Sequence, residues 1–305
     1  MSNLHHHDHG HHHDGTSSGV RLLLSIVLNI LITVAQVVGG IVSGSVALIS
    51  DALHNFSDVI ALVISYIANK LAKREQTLSK TFGYKRAEIL AAFVNSATLL
   101  AIAVFLGKEA IERFIEPVAV KSNIVIWLAA FSILMNGLSV LLVKPDAEHN
   151  MNMKSAYLHL FTDMLTSVAV LVGGILMKYW GWYWVDSVIT IGIALYLIKS
   201  SWGLLVGSVK ILLMFSPEEL MIQDIAKDLT KIEGIACIHH VHVWQLNDES
   251  VFFEARALFS EDISITQFEE KIQEIEEVLT GYGIHHSTIQ PGYGDHDNRD
   301  LILQE

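Results

Sequence analysis

The chain has 305 residues, 51% of them hydrophobic, and a formal net charge of −12. Its single cysteine, Cys237, excludes an intrachain disulfide, so nothing ties the soluble part to an oxidising compartment. The charge is lopsided, +2 over residues 1–215 and −14 over residues 216–305. An acidic domain of that kind excludes nucleic acid as a partner and suits cations.

Residues 1–19 hold seven of the sixteen histidines in a low-complexity tract, HHHDHGHHHDGTSSG from His5 to Gly19. Nothing there can form a core, which predicts disorder with loose metal binding. The polar start also predicts that no cleavable signal peptide is present. Six apolar segments follow, at about 20–42, 46–69, 87–110, 122–143, 153–178 and 183–209. Each is long enough as a helix to cross a hydrocarbon core of about 30 Å, so the partner of this region is a lipid bilayer. Gly39, Gly40 and Gly44 close the first span and open a tight turn, while Pro117 and Pro145 are placed in loops.

Basic residues set the orientation. Lys70, Lys73, Arg74, Lys80, Lys85, Arg86, Lys144 and Lys154 flank one side of the spans, against Lys108, Arg113, Lys121 and Lys178 on the other. The richer side belongs in the cytoplasm, which puts both termini inside; the membrane expected is the cell's inner or plasma membrane.

Beyond the spans the pattern changes. Ser216-Pro217-Glu218-Glu219 reads as a helix start, with the helix running to about Ile232 and stopping at Gly234. Strands are predicted at 237–246 and 251–259, a helix at 264–279 ending at Gly281, and a last strand at 284–290. The fold expected is a polytopic α-helical membrane domain of six spans, residues 20–212, plus a small cytosolic α+β domain of order αββαβ, residues 213–305.

Two stretches stand out inside the spans. His54 and Asp58 lie at i and i+4 in the second, and His159 and Asp163 repeat that spacing in the fifth. The spacing stacks each pair on one helix face. Ionisable groups at membrane depth are costly and mark ion or substrate paths. Two imidazoles and two carboxylates are the four-donor tetrahedral set that Zn²⁺ favours. The two helices are therefore expected to meet around one divalent metal.

Asp51 shares the stripe of His54 and Asp58, either as a carboxylate adjoining the metal or as a group facing water near the membrane surface. Asn29, Gln36 and Asn136 are read as interhelical hydrogen-bonding groups, and Asp186 as a charge at the start of the sixth span. In the tail, simple alternation puts His240 and His242 on one face and His239 on the other. Neighbouring strands would bring His239 or His242 towards His285 and His286. Cys237 is read as a small buried hydrophobe.

Six spans, two HxxxD pairs and an αββαβ tail together resemble the cation diffusion facilitator family, in its zinc-transporting branch. The strings Gly44-Ser45-Val46-Ala47-Leu48-Ile49-Ser50-Asp51-Ala52, Phe82-Gly83-Tyr84-Lys85-Arg86-Ala87-Glu88, His242-Val243-Trp244 and His286-Ser287-Thr288-Ile289-Gln290 add to the resemblance. It implies a homodimeric exchanger of divalent metal for protons that empties the cytoplasm of metal, and a metallochaperone-like tail that senses it. His54, Asp58, His159 and Asp163 match the family's transport site. Zn²⁺ is then the cargo and, at the tail, a regulator. His239 and His285 match tail positions that bind metal in some relatives, whereas Arg256 occupies a third such position and cannot ligate. The His5–His13 tract is a candidate donor of the missing ligand. The loop from Lys70 to Arg86 has neither histidine nor aspartate, so no second metal site is expected there.

The rivals are a membrane metalloenzyme and a passive divalent-cation channel. A zinc protease would need HExxH, which the chain lacks; an enzyme is therefore not expected. A channel would pass metal without proton counterflow.

Overall fold

The structure, a computed structural model, describes residues 15–147, 151–294 and 300–302. Six long helices come first: α1 Gly15–Ser43, α2 Val46–Ala72, α3 Ala87–Ile115, α4 Ser122–Ala147, α5 Met151–Trp180 and α6 Trp184–Leu212. Five of them, α2 to α6, are long and apolar enough to cross a membrane, and α1 contributes the apolar segment Val27–Ser43.

The boundaries match the predicted spans with two corrections. Residues 15–19 are helical, continuous with α1, where disorder was expected; the helix-forming run that follows extends over them. The rest of the histidine tract lies outside the described residues. Pro145 falls within the last turns of α4 and not in a loop. So near the helix end its missing N–H forfeits one hydrogen bond, and the run Leu141-Leu142-Val143 carries the helix past it.

By contacts the chain divides into two compact units. One comprises the residues up to Val63 with Ala97–Ser201, and the other Ile64–Ser96 with the residues from Trp202 on. In the first unit α4 lies against both α1 and α5. Its apolar core joins Leu48 of α2, Ala103 of α3, Val125 and Ala129 of α4, Val170 of α5 and Leu197 of α6. Its polarity is inverted relative to a soluble domain. Gln36, Asp51, Asn55, Ser132, Asn136, Asp163 and Ser167 are buried, while Phe105, Trp127, Leu141 and Leu195 are exposed. A surface of that kind is made for lipid.

The turn between α1 and α2 requires glycine. Gly44 adopts φ +75°, in the left-handed region. A Cβ on Gly40 would stand 2.6 Å from Ile49 Cγ1 and 3.2 Å from the Ile49 backbone nitrogen. The two helices can run side by side only because that position is bare.

In the second unit the tail forms α7 Ile222–Leu229, β1 Ile235–Asn247, β2 Ser250–Phe259, α8 Ile265–Gly281 and β3 His286–Tyr293. The sheet order is β1-β2-β3. β1 and β2 form an antiparallel hairpin, and β3 returns parallel to β2 after the α8 crossover. Ile225 and Leu229 of α7 and Ile275 and Leu279 of α8 pack with Val241, Val243, Phe253, Ala255 and Ala257 of the sheet. Ser264 caps α8 in a reciprocal capping box with Gln267.

The helix α7 starts five residues later than the Ser216 cap predicts. Residues 217–220 form a turn, in which the Leu220 amide donates to the Pro217 carbonyl at 3.2 Å. Leu220 packs on the tail core and Glu218 pairs with Lys210, so tertiary contacts claim the residues that would have begun the helix.

Candidate metal-transport site

The helices α2 and α5 bring the two HxxxD pairs together. His54 Nε2 lies 3.6 Å from Asp163 Oδ1, and His159 Nε2 lies 3.3 Å from Asp58 Oδ2 and 3.6 Å from Asp163 Oδ2. His54 Nδ1 is 3.5 Å from Asp58 Oδ2, and the two imidazole centroids are 6.0 Å apart. Within each helix the i, i+4 spacing supplies one histidine and one aspartate; the helix crossing supplies the other two.

These separations carry chemical information. They exceed a hydrogen bond. A zinc ion about 2.0–2.2 Å from each of four donors holds those donors about 3.3–3.6 Å apart, the edge of the tetrahedron. Among the described residues no three such side chains are already gathered as a metal-holding group. His54 turns Nδ1 to Asp58 and Nε2 to Asp163.

The four side chains are buried unequally. Asp163 is 1% exposed and His54 11%, against 19% for Asp58 and 42% for His159. Both aspartates bridge the histidines, Asp58 through Oδ2 alone and Asp163 with one oxygen towards each. The Tyr196 ring of α6 stands edge-on to His54, centroids 6.5 Å apart.

Asp51 does not face water. It is buried, and its Oδ2 accepts from Gln36 Nε2 of α1 at 2.5 Å and from Ser167 Oγ of α5 at 3.3 Å. Of the three amides singled out in the sequence, Gln36 bridges helices as expected. Asn136 donates within its own helix, to Ser132 Oγ at 3.4 Å.

Asp186 does more than charge the start of its own helix. It accepts from Ser45 Oγ at 2.5 Å, from the Val46 amide at 2.7 Å and from the Ala47 amide at 3.3 Å. It therefore caps the exposed amides of α2 from across the bundle. That role was invisible in sequence, because 140 residues separate Asp186 from Val46.

In the tail, alternation fails at one place. The β1–β2 register slips between His239 and His242, and His240 takes φ +52°. This bulge adds a residue to β1. His239, His242 and Trp244 consequently pair with Arg256, Glu254 and Phe252 and share one face, whereas simple alternation separates His239 from His242. His239 is buried beside Arg256, while His285, just ahead of β3, is exposed. Cys237 is half-buried and not fully buried as expected, and it stands outside the core cluster that takes in its neighbour Ile238. On the same outer face Phe252 meets Trp244, His286 and, from the α2–α3 loop, Phe82.

A bundle of apolar helices wrapped around an intramembrane His/Asp cluster, with a small acidic α+β tail, defines a polytopic membrane protein that handles cations. Residues 22–213 match the cation efflux transmembrane domain, and residues 217–291 match the cytoplasmic domain of cation efflux proteins. The chain belongs to the cation efflux family. It is 35% identical over 263 residues to the cadmium, cobalt and zinc/H(+)-K(+) antiporter of Bacillus subtilis, covering 86% of this chain and 85% of that one. It is 33% identical over 266 residues to the zinc transporter ZitB of Escherichia coli, covering 86% and 84%. To the metal cation efflux system protein CzcD of Cupriavidus metallidurans it is 32% identical over 247 residues, covering 81% and 78%.

Proposed function

We propose that this transporter exports Zn²⁺ from the cytoplasm in exchange for protons, as a homodimer with both termini in the cytoplasm. The observation that carries the reading is the meeting of His54, Asp58, His159 and Asp163, each histidine within 3.6 Å of both aspartates. The relatives named for zinc, cadmium and cobalt support the cargo class, and the antiporter of Bacillus subtilis supports exchange. Imidazole donors favour Zn²⁺ over the all-oxygen shells preferred by Mn²⁺ and Mg²⁺.

Zinc enters when the ligands are deprotonated. Asp58 and Asp163 neutralise its charge, which offsets the cost of a divalent ion at membrane depth. The helices then rock, and the site opens to the opposite side. Protons reoccupy the donors there, displace the metal and return with the empty site. Histidine, with a reference pKa of about 6.5, suits that exchange near neutral pH.

The test is metal-driven proton flux in vesicles holding the full chain, each divalent ion tried in turn. A pH gradient acid on one face should drive zinc towards that face, and a protonophore should collapse the accumulation. Zinc flux that ignores the gradient would leave the channel reading. Hydrolysis of a substrate would favour the enzyme.

A further inference from the structure

One turn beyond the metal cluster, on the side of the α1–α2 turn, lies a hydrogen-bonded network of uncharged side chains around a single carboxylate. Asp51 precedes His54 by one helical turn on α2, and Ser167 follows Asp163 by one turn on α5. Gln36 of α1 donates to Asp51 Oδ2 and, at 3.2 Å, to Ser132 Oγ of α4. Asn55 Nδ2 donates to Gln36 Oε1 at 3.2 Å, and the hydroxyls of Ser132 and Ser167 lie 2.8 Å apart. Five side chains thereby tie four helices together at one level, and all five are buried.

The network is one-sided. Towards the other end of the cluster lie the partly buried Asp58 and the exposed His159; towards the network lie the buried Asp163 and then Asp51. The second oxygen of Asp51 accepts no hydrogen bond from a described residue. A buried carboxylate with one oxygen unsatisfied is held less firmly than a saturated one, and its partners are neutral groups that can be exchanged.

We propose that Gln36, Asp51, Asn55, Ser132 and Ser167 form the gate that closes the metal path towards the α1–α2 turn, with Asp51 as its central acceptor. Closed, the gate draws α1, α2, α4 and α5 together below the cluster. Opening it frees the Asp51 carboxylate beside the path, where a departing cation meets an oxygen donor one turn from His54. Asp51 is on this account a positioning residue for transport, and the proposal rests on the transport reading given above.

The test uses the full chain in oriented vesicles, with Cys237→Ser removing the native thiol. Thr33→Cys is the reporter: Thr33 is buried on α1, one turn from Gln36 on the cluster side. Lys121→Cys marks the α1–α2 side, since the Lys121 amide donates to the Ser43 carbonyl at 2.9 Å. A membrane-impermeant maleimide is applied from the side that labels the marker. The reporter should resist it, and Asp51→Ala should speed its labelling about tenfold or more, the effect of losing hydrogen bonds to a charged group. Ser167→Ala, which removes one donor with little change in bulk, should speed it less and serves if Asp51→Ala does not fold. A reporter that labels freely in the parent, or equal rates in every variant, overturns the gate. Zinc binding by the same proteins is measured separately: its absence in the parent would sink the transport site, while the labelling contrast still judges the gate.

Discussion

Asp163→Asn separates metal binding from packing at the point where the cluster is most buried. Asp163 is 1% exposed and directs one oxygen at each histidine, at 3.6 Å in both cases. Asparagine keeps its volume and one acceptor, so no cavity opens, but it removes one of the two charges that balance the ion. Tight zinc sites bind with about 10–16 kcal/mol over four ligands, or about 2.5–4 kcal/mol for each. A site that must also release its cargo sits at the lower end, so the expected loss of zinc affinity is about 10²-fold. Calorimetric titration of the purified full chain measures it, and vesicle uptake should fall with it. Thermal unfolding without zinc should be nearly unchanged. Affinity within about threefold of the parent would show that Asp163 is not a ligand and would refute the tetrahedral reading.

Two further outcomes follow from particular contacts. Gly39→Val should lower the melting temperature, because a Cβ at Gly39 would lie 1.8 Å from Leu128 Cδ1 and 3.2 Å from its Cγ, so that side chain must turn aside; thermal unfolding checks this, and an unaltered transition would refute the close approach of α1 to α4. In the tail, Tyr282 OH donates to Asp228 Oδ2 at 2.6 Å. That bond raises the phenol above its ordinary value of 10.0, while Lys231 first and Tyr282 second lower the Asp228 carboxyl. The depressed acid keeps this tie at neutral pH and loses it as pH falls through the lowered Asp228 value; the raised phenol loses it as pH rises through its own. Ultraviolet titration of tyrosinate should therefore lose one component titrating above 10.0 in Tyr282→Phe, and Asp228→Asn should shift that component down.

Much of this protein is legible one residue at a time. The six spans follow from apolar run length, since a helix crossing lipid must satisfy its backbone internally and leave few charges. The HxxxD pairs are legible because helical periodicity fixes which residues share a face, whatever the helix packs against. The αββαβ order follows from alternation, from helical periodicity over 264–279 and from the glycines that end its elements.

What required the tertiary structure were relations between distant segments. No local pattern tells that Asp186 caps α2, or that Asp51 is enclosed by Gln36 and Ser167, because hydrogen bonds across 15 to 141 residues depend on how helices cross. The start of α7 was decided by where Leu220 and Glu218 found partners, against a strong local capping signal. The bulge at His240 changed which histidines share a face, since one added residue inverts a period of two. Sequence named the four candidate ligands through short-range geometry. Only packing could bring His159 of α5 within 3.3 Å of Asp58 of α2, because that distance belongs to neither helix alone.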